Sequence, residues 1–303
     1  MTVCADRSPA GLRALRWATA EARRRALPLA VVATDPRRAR SMRRSTFAAT
    51  LAAALGGRPD ESLPTKLRRL SVGAAALVLP ATLPDLGTVV AEAHCPVVTV
   101  PAHDPSPAAS RGPIVVGVAP WTAQSVIALA FQEASDRRAP LHAVRVWSEP
   151  RIDLGWLRPD RIAEWDTAEE RVHHELELAL SGWTIAHPEV PVETIVVQDQ
   201  PAGFLLALSH RAQLLVLGRS VRGALLASIA GSPVDALVRG ARCPVMVVPG
   251  DGPPRTTWLP TAQRARPSPA PDPQAGSGRL RLDHRDRDGV DDVGDGSRHG
   301  RGR

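Results

Sequence analysis

Residues 214–232 read LLVLGRSVRGALLASIAGS. The first four are apolar without a break. That is how a strand reads when both faces of its sheet are covered. The run ends on Gly218, and Gly223 and Gly231 follow, the last next to Ser232. A strand that runs into a glycine-bearing loop ahead of a helix suits phosphate. Glycine lets the backbone approach the oxygens, successive N–H groups form an anion nest, and the helix adds its positive N-terminus. Arg219, Arg222, Ser220 and Ser232 are side chains of the right chemistry for anion contact. The stretch therefore points to an α/β fold with a site at the carboxyl ends of its strands.

Around this stretch the chain alternates strand and helix. Strands are expected at Ile114–Val118, Leu141–Trp147, Val192–Val197, Leu214–Leu217 and Val245–Val248. Helices are expected at Ser125–Arg138, Pro159–Trp183, Pro201–Ser209 and Pro233–Arg239. Val126, Leu129, Ala130 and Ala134 fall on one helical face, as do Ile162, Trp165, Val172, Leu176, Leu180 and Trp183. Alternation of this kind predicts a parallel sheet with helices on both faces.

The chain also repeats itself. EARRRALPL from Glu21 matches EASDRRAPL from Glu133, and HCPVVTVP from His94 matches RCPVMVVP from Arg242. Glu21 to Cys95 spans 74 positions and Glu133 to Cys243 spans 110, so the first copy is 36 shorter. Its expected elements are strands at Thr2–Ala5, Leu29–Thr34, Ala75–Leu79 and Val97–Val100, with helices at Gly11–Arg25 and Ser41–Gly57. The division is a truncated first copy at 1–101, a linker at 102–112 rich in Pro, Ala and Ser, a second copy at 113–249, and a tail at 250–303. The tail is dominated by Pro, Gly, Arg and Asp. It is expected to be disordered, because it has too little apolar surface to offset its ordering entropy.

Composition narrows the function. The chain has 303 residues, 44% hydrophobic, with 3% aromatics and no Tyr, so its cores must be built from Ala, Val and Leu. Apolar runs such as Val72–Val78 fall far short of the ~20 residues a membrane helix needs. The first residues lack a signal-peptide pattern, so a cytoplasmic location is expected. The net charge is +7, but nearly all the positive charge is Arg and no basic run is interleaved with aromatics, so no specific nucleic acid is expected. Cys4, Cys95 and Cys243 are too scattered for a disulfide framework or a zinc site. Ser209-His210 has no acid or glycine elbow beside it. His173-His174 are neighbours on a helix and diverge, unlike histidines four apart. No catalytic set emerges, and the chain is read as a non-enzyme.

Taken together, PIVVGV, RRAPLHAVRVW, HPEVPVETIVVQDQPAGFLLALSHRAQLLVLG, the loop above and ARCPVMVV resemble a universal stress protein domain over Pro113–Pro249. Met1–Pro101 resembles a shortened copy, and the whole is similar to tandem members of that family. The resemblance implies two Rossmann-like domains with parallel five-stranded sheets of order 3-2-1-4-5. It implies ATP, with Mg, at the ends of the first and fourth strands. The residues it places there are Gly117, Ala119, Val146, Leu217, Gly218, Arg219, Ser220, Arg222, Gly231, Ser232 and Val234. It also implies pairing through the last strands. That pairing is either a homodimer or an internal pseudo-dimer joining Val97–Val100 to Val245–Val248.

Two positions depart from the family pattern. The family loop reads Gly, two residues, Gly, nine residues, then Gly-Ser or Gly-Thr, and Val221 stands at the second glycine. Ala119 stands where the family's first strand ends in Asp. The first copy fails in the opposite way: it keeps an acid, Asp6, but lacks the glycine loop, with Gly87-Thr88 its only remnant. Three readings stay open. One is a stress-response regulator that binds an adenine nucleotide in the second copy. Another is a scaffold that has lost its ligand and acts by protein association. The third is a slow ATP hydrolase.

Overall fold

The computed structural model describes residues 1–6, 8–33, 61–104, 106–147, 160–198, 200–219 and 233–250; of residues 160–167 and 233 only the backbone is described. Nine strands are present among them: β1 Thr2–Ala5, β2 Ala30–Ala33, β3 Leu77–Pro80, β4 Val97–Val100, β5 Ile114–Gly117, β6 Leu141–Trp147, β7 Val192–Gln198, β8 Leu214–Arg219 and β9 Val245–Pro249. The described helices are α1 Pro9–Arg24, α2 Leu63–Ser71, α3 Leu86–Glu92, α4 Gln124–Arg137, α5 Asp160–Ala186, α6 Pro201–Leu208 and α7 Pro233–Gly240.

The strands form one sheet of order β2-β1-β3-β4-β9-β8-β5-β6-β7. Neighbours are parallel except β4 and β9, which are antiparallel. The second half contributes five strands in the order 3-2-1-4-5 counted within that half. The last strands pair within the chain, the internal pseudo-dimer arrangement of Val97–Val100 with Val245–Val248, so the two half-sheets run on as one. The first half has four strands among the described residues, the four expected of the shortened copy. The helix expected at Ser41–Gly57 and the tail beyond Gly250 lie outside the described residues. Gly87 and Thr88, read as a loop remnant, lie inside α3.

Alternation along the strands splits the core into two layers. Val3, Val78, Val98, Val116, Val216 and Met246 face α1, α4 and α5. Cys4, Leu77, Val97, Val115, Leu215 and Val245 face α2, α3, α6 and α7. With few aromatics available, close approach of small side chains supplies the packing. Ala14, Ala18 and Ala22 lay α1 flat on the sheet.

The β4–β9 register pairs Val97 with Val247, Val98 with Met246 and Thr99 with Val245. Val98 and Met246 occupy matching places after each Cys-Pro, so the seam has local twofold symmetry. The symmetry brings the ends of α1 and α4 together. Glu21 Oε1 accepts from Arg25 Nε at 2.6 Å, and Glu133 Oε2 accepts from Arg137 Nε at 3.0 Å. The guanidiniums also cross over: Arg25 Nη2 reaches Glu133 Oε1 at 2.7 Å, and Arg137 Nη2 reaches Glu21 Oε2 at 2.9 Å. Both carboxylates are fully buried, and Arg24 and Asp136 complete the cluster at 3.0 and 3.2 Å. Each helix then stops in the same way. Ala26 (φ 49°) and Arg138 (φ 51°) are left-handed, and Leu27 and Ala139 donate back to Ala22 O and Ala134 O.

The linker is tied down rather than loose. Arg13 holds Asp104 with two bonds of 2.8 and 3.0 Å, and Gln213 Nε2 donates to Gly112 O at 2.8 Å. Any side chain at Gly112 would run into Arg211 O, so glycine is required for this approach.

Burial pushes the Glu133 carboxyl up, but Arg137, Arg25 and Arg24 outweigh it and hold it below its ordinary 4.5. A carboxylate depressed in the folded state stabilises fully above its ordinary value and loses that contribution as pH falls through the folded one. Glu133→Gln should destabilise by about 3–5 kcal/mol in urea titrations at pH 7, because two guanidiniums lose a buried partner. Its stability should also fall less steeply than that of the parent protein below pH 4.5. Equal acid slopes would show that the cluster does not govern this loss.

Candidate functional site

In the second half the chain leaves β5 for β6 on one side and reaches β8 on the other. Between β5 and β8 the connections diverge, and the carboxyl ends of such strands form the usual ligand crevice of open α/β sheets. Val116 pairs with Val216, which brings Gly117, Leu217 and Gly218 side by side. Leu217, Val146 and Val234 all lie against the α6–α7 layer of the core, so they share one face of the sheet. Both glycines also serve close packing. A Cβ on Gly117 would stand 3.0 Å from Leu217 Cδ2, and one on Gly218 would stand 3.1 Å from Val126 Cγ2. Ser220, Arg222, Gly231 and Ser232 lie outside the described residues, as does Val221.

Past β5 the chain makes a tight turn. Thr122 N donates to Ala119 O at 3.0 Å, and Ala119 N donates to Thr122 Oγ1 at 2.8 Å. Residues 119–122 are Ala-Pro-Trp-Thr, so the turn carries no carboxylate, and Trp121 projects exposed from it. The acid kept by the first half has local work. Asp6 Oδ1 accepts from Ser8 N at 2.9 Å and contacts Ser8 Oγ, which in turn accepts from Gly11 N at 3.0 Å and caps α1.

Arg219, expected as an anion contact, engages the first half through one guanidinium nitrogen. Its Nη1 donates to Val90 O at 3.2 Å and Ala93 O at 2.7 Å, across the seam at the C-terminal end of α3. Those are carbonyls a helix end leaves without a partner, and the helix dipole places negative charge there. Ser209 has a structural part too. Its hydroxyl donates to Leu206 O at 2.6 Å and accepts from Arg242 N at 2.9 Å. Ser71 does the same in the first half with Arg68 O and His94 N, at 2.6 and 2.8 Å. Ser71 closes α2 and Ser209 follows α6, and their partners His94 and Arg242 each stand one residue before a Cys-Pro pair. His173 Nε2 faces Glu177 at 3.4 Å and Thr194 at 3.4 Å.

The strand order and the helices on both faces define an open, doubly wound α/β sheet. The sequence pattern of the Universal stress protein family matches residues 111–249. A universal stress protein of Mycobacterium tuberculosis strain H37Rv is 35% identical over 158 residues, 51% of this chain and 51% of its own. A second from the same strain is 37% identical over 166 residues, 53% of this chain and 51% of its own. The chain spans about half the length of the curated relatives it matches. Among solved structures, a universal stress protein from Archaeoglobus fulgidus superposes with a TM-score of 0.55 at 16% identity, covering 82% of this chain and 95% of that one. A Pseudomonas aeruginosa protein described as functionally unknown gives 0.56 at 16% identity, covering 82% and 92%. These likenesses show the fold. Residues 111–249, just under half of the chain, carry the pattern of the universal stress protein family. No described helix is long and apolar enough to cross a membrane.

The thiols are poor nucleophiles. Burial, with Asp6 nearby, pushes Cys4 up to about 12, and burial pushes Cys243 up to about 12. Cys95 is buried as well. A thiol reagent at pH 8 should therefore label none of the three cysteines within minutes in the native protein, and all three in denaturant. Rapid labelling of Cys4 or Cys243 without denaturant would contradict this burial.

Proposed function

We propose that the chain is a stress-response regulator that binds an adenine nucleotide, ATP with Mg, in its second half and catalyses no reaction on it. One observation carries the reading. The ends of β5 and β8 lie together at the divergence point with Gly117 and Gly218, just before the segment that ends in Gly231-Ser232. The first half closes its matching strand on Pro80, which has no N–H to offer a phosphate. The surroundings fit a polar ligand. Ser125 Oγ, in the first turn of α4, and Trp147 Nε1, at the end of β6, are buried polar atoms without a hydrogen-bond partner among the described residues. Both belong to the carboxyl-edge side of the second half. Val146, Leu217 and Val234 would form the apolar wall for the base. The N–H groups at Gly218 and in the first turn of α7 beyond Pro233, which has none, would meet the phosphates.

Val221 and Ala119, standing where the family loop has Gly and its first strand has Asp, favour the second reading, a scaffold without ligand. Calorimetric titration of ATP and Mg into the full chain separates the two. Micromolar binding, no phosphate release over hours, and at least tenfold tighter binding by Ala119→Asp are expected, since a hydrogen bond to a charged group contributes about 1.5–3 kcal/mol. Silence in the parent protein with binding in a Val221→Gly, Ala119→Asp double variant would establish the scaffold reading. Steady phosphate release would establish the hydrolase.

A further inference from the structure

The two described ends of the nucleotide segment rest on one helix of the other half. At the near end, Arg219 closes β8 and holds Val90 O and Ala93 O at the C-terminus of α3. At the far end, α7 begins at Pro233, and its Asp235 lies against the start of α3: a Cβ on Gly87 would stand 3.1 Å from Asp235 Oδ1. α3 is short, Leu86–Glu92, and is itself fixed to the sheet by Leu86, Val89 and Val90 in the core layer it shares with Leu237 and Val238 of α7. It therefore spans the gap between the end of β8 and the start of α7 like a rigid spacer. Its position next to β9 follows from the β4–β9 pairing.

We infer that α3 of the first half is a positioning element for the second half's nucleotide site. It fixes the separation of Arg219 from the start of α7, and Arg219 is the residue that transmits this. The inference rests on the nucleotide reading for its ligand. It gives the first half, which has Pro80 and no glycine loop, a part in binding at the second. Arg219 acts through backbone carbonyls and does not itself need to touch the nucleotide. One nitrogen, Nη1, serves both carbonyls with its two N–H groups, so a cation of the same reach keeps part of the contact.

The test uses the full chain. Arg219→Gln should weaken ATP binding about tenfold and Arg219→Lys by less, since coupling between sites commonly amounts to 5–150-fold. Arg13→Gln, which cuts the Asp104 contact in the linker, should leave affinity unchanged. Linkage is reciprocal, so ATP should slow amide exchange in Leu86–Glu92 about threefold or more in the unmodified protein. A merely structural arginine would not produce that change. Unchanged exchange in α3 while ATP binds would overturn the inference. If the parent protein binds no ATP at millimolar concentration, the nucleotide reading fails and the spacer is judged alone. In that case, faster exchange of Pro233–Gly240 in ligand-free Arg219→Gln supports it, and equal exchange overturns it.

Discussion

The antiparallel pairing of β4 with β9 is the constraint on which the rest of the molecule depends. It joins two parallel half-sheets that would otherwise each end in an open strand edge, a template for unwanted pairing. It places Val98 opposite Met246, its counterpart, and so imposes a local twofold relation. Each element near the seam then meets its partner from the other half. On one face this brings Glu21, Arg25, Glu133 and Arg137 together. Charges buried this deeply are tolerated only when every one is paired. Here each carboxylate oxygen has a guanidinium within 3.0 Å. A register slip would leave unpaired charge in the core, so the cluster fixes the alignment of the halves.

The halves resemble each other near the seam and differ at the carboxyl edge. The left-handed residues Ala26 and Arg138, the capping serines Ser71 and Ser209, and the Cys-Pro strands occur in both. At the edge, the first half has Pro80 where the second has Gly218 within its strand. Its acid, Asp6, orders the entry to α1. This distribution fits a pair in which association is common to both members and a ligand site belongs to one. The likeness to solved universal stress proteins covers 82% of the chain, well beyond the 111–249 segment that the family pattern matches. At 16% identity that likeness concerns the backbone alone.

The sequence by itself determined the α/β class, the two copies, and most strands and helices to within a few residues. Continuous apolar runs, helical spacing and Gly-Pro punctuation are local signals, and they need no knowledge of the fold. α2 and α3 were not among the helices read from the sequence. Tertiary structure alone decided that the last strands pair within the chain, that Arg219 holds α3, and that Glu21 meets Arg137. The reason is sequence separation. The partners of Arg219 are 129 and 126 positions away, and Glu21 and Arg137 are 116 apart. Periodicity reports which face a side chain takes. Which atoms wait on that face is set by how the two halves dock, and the docking is settled by the β4–β9 register and the ion pairs it buries.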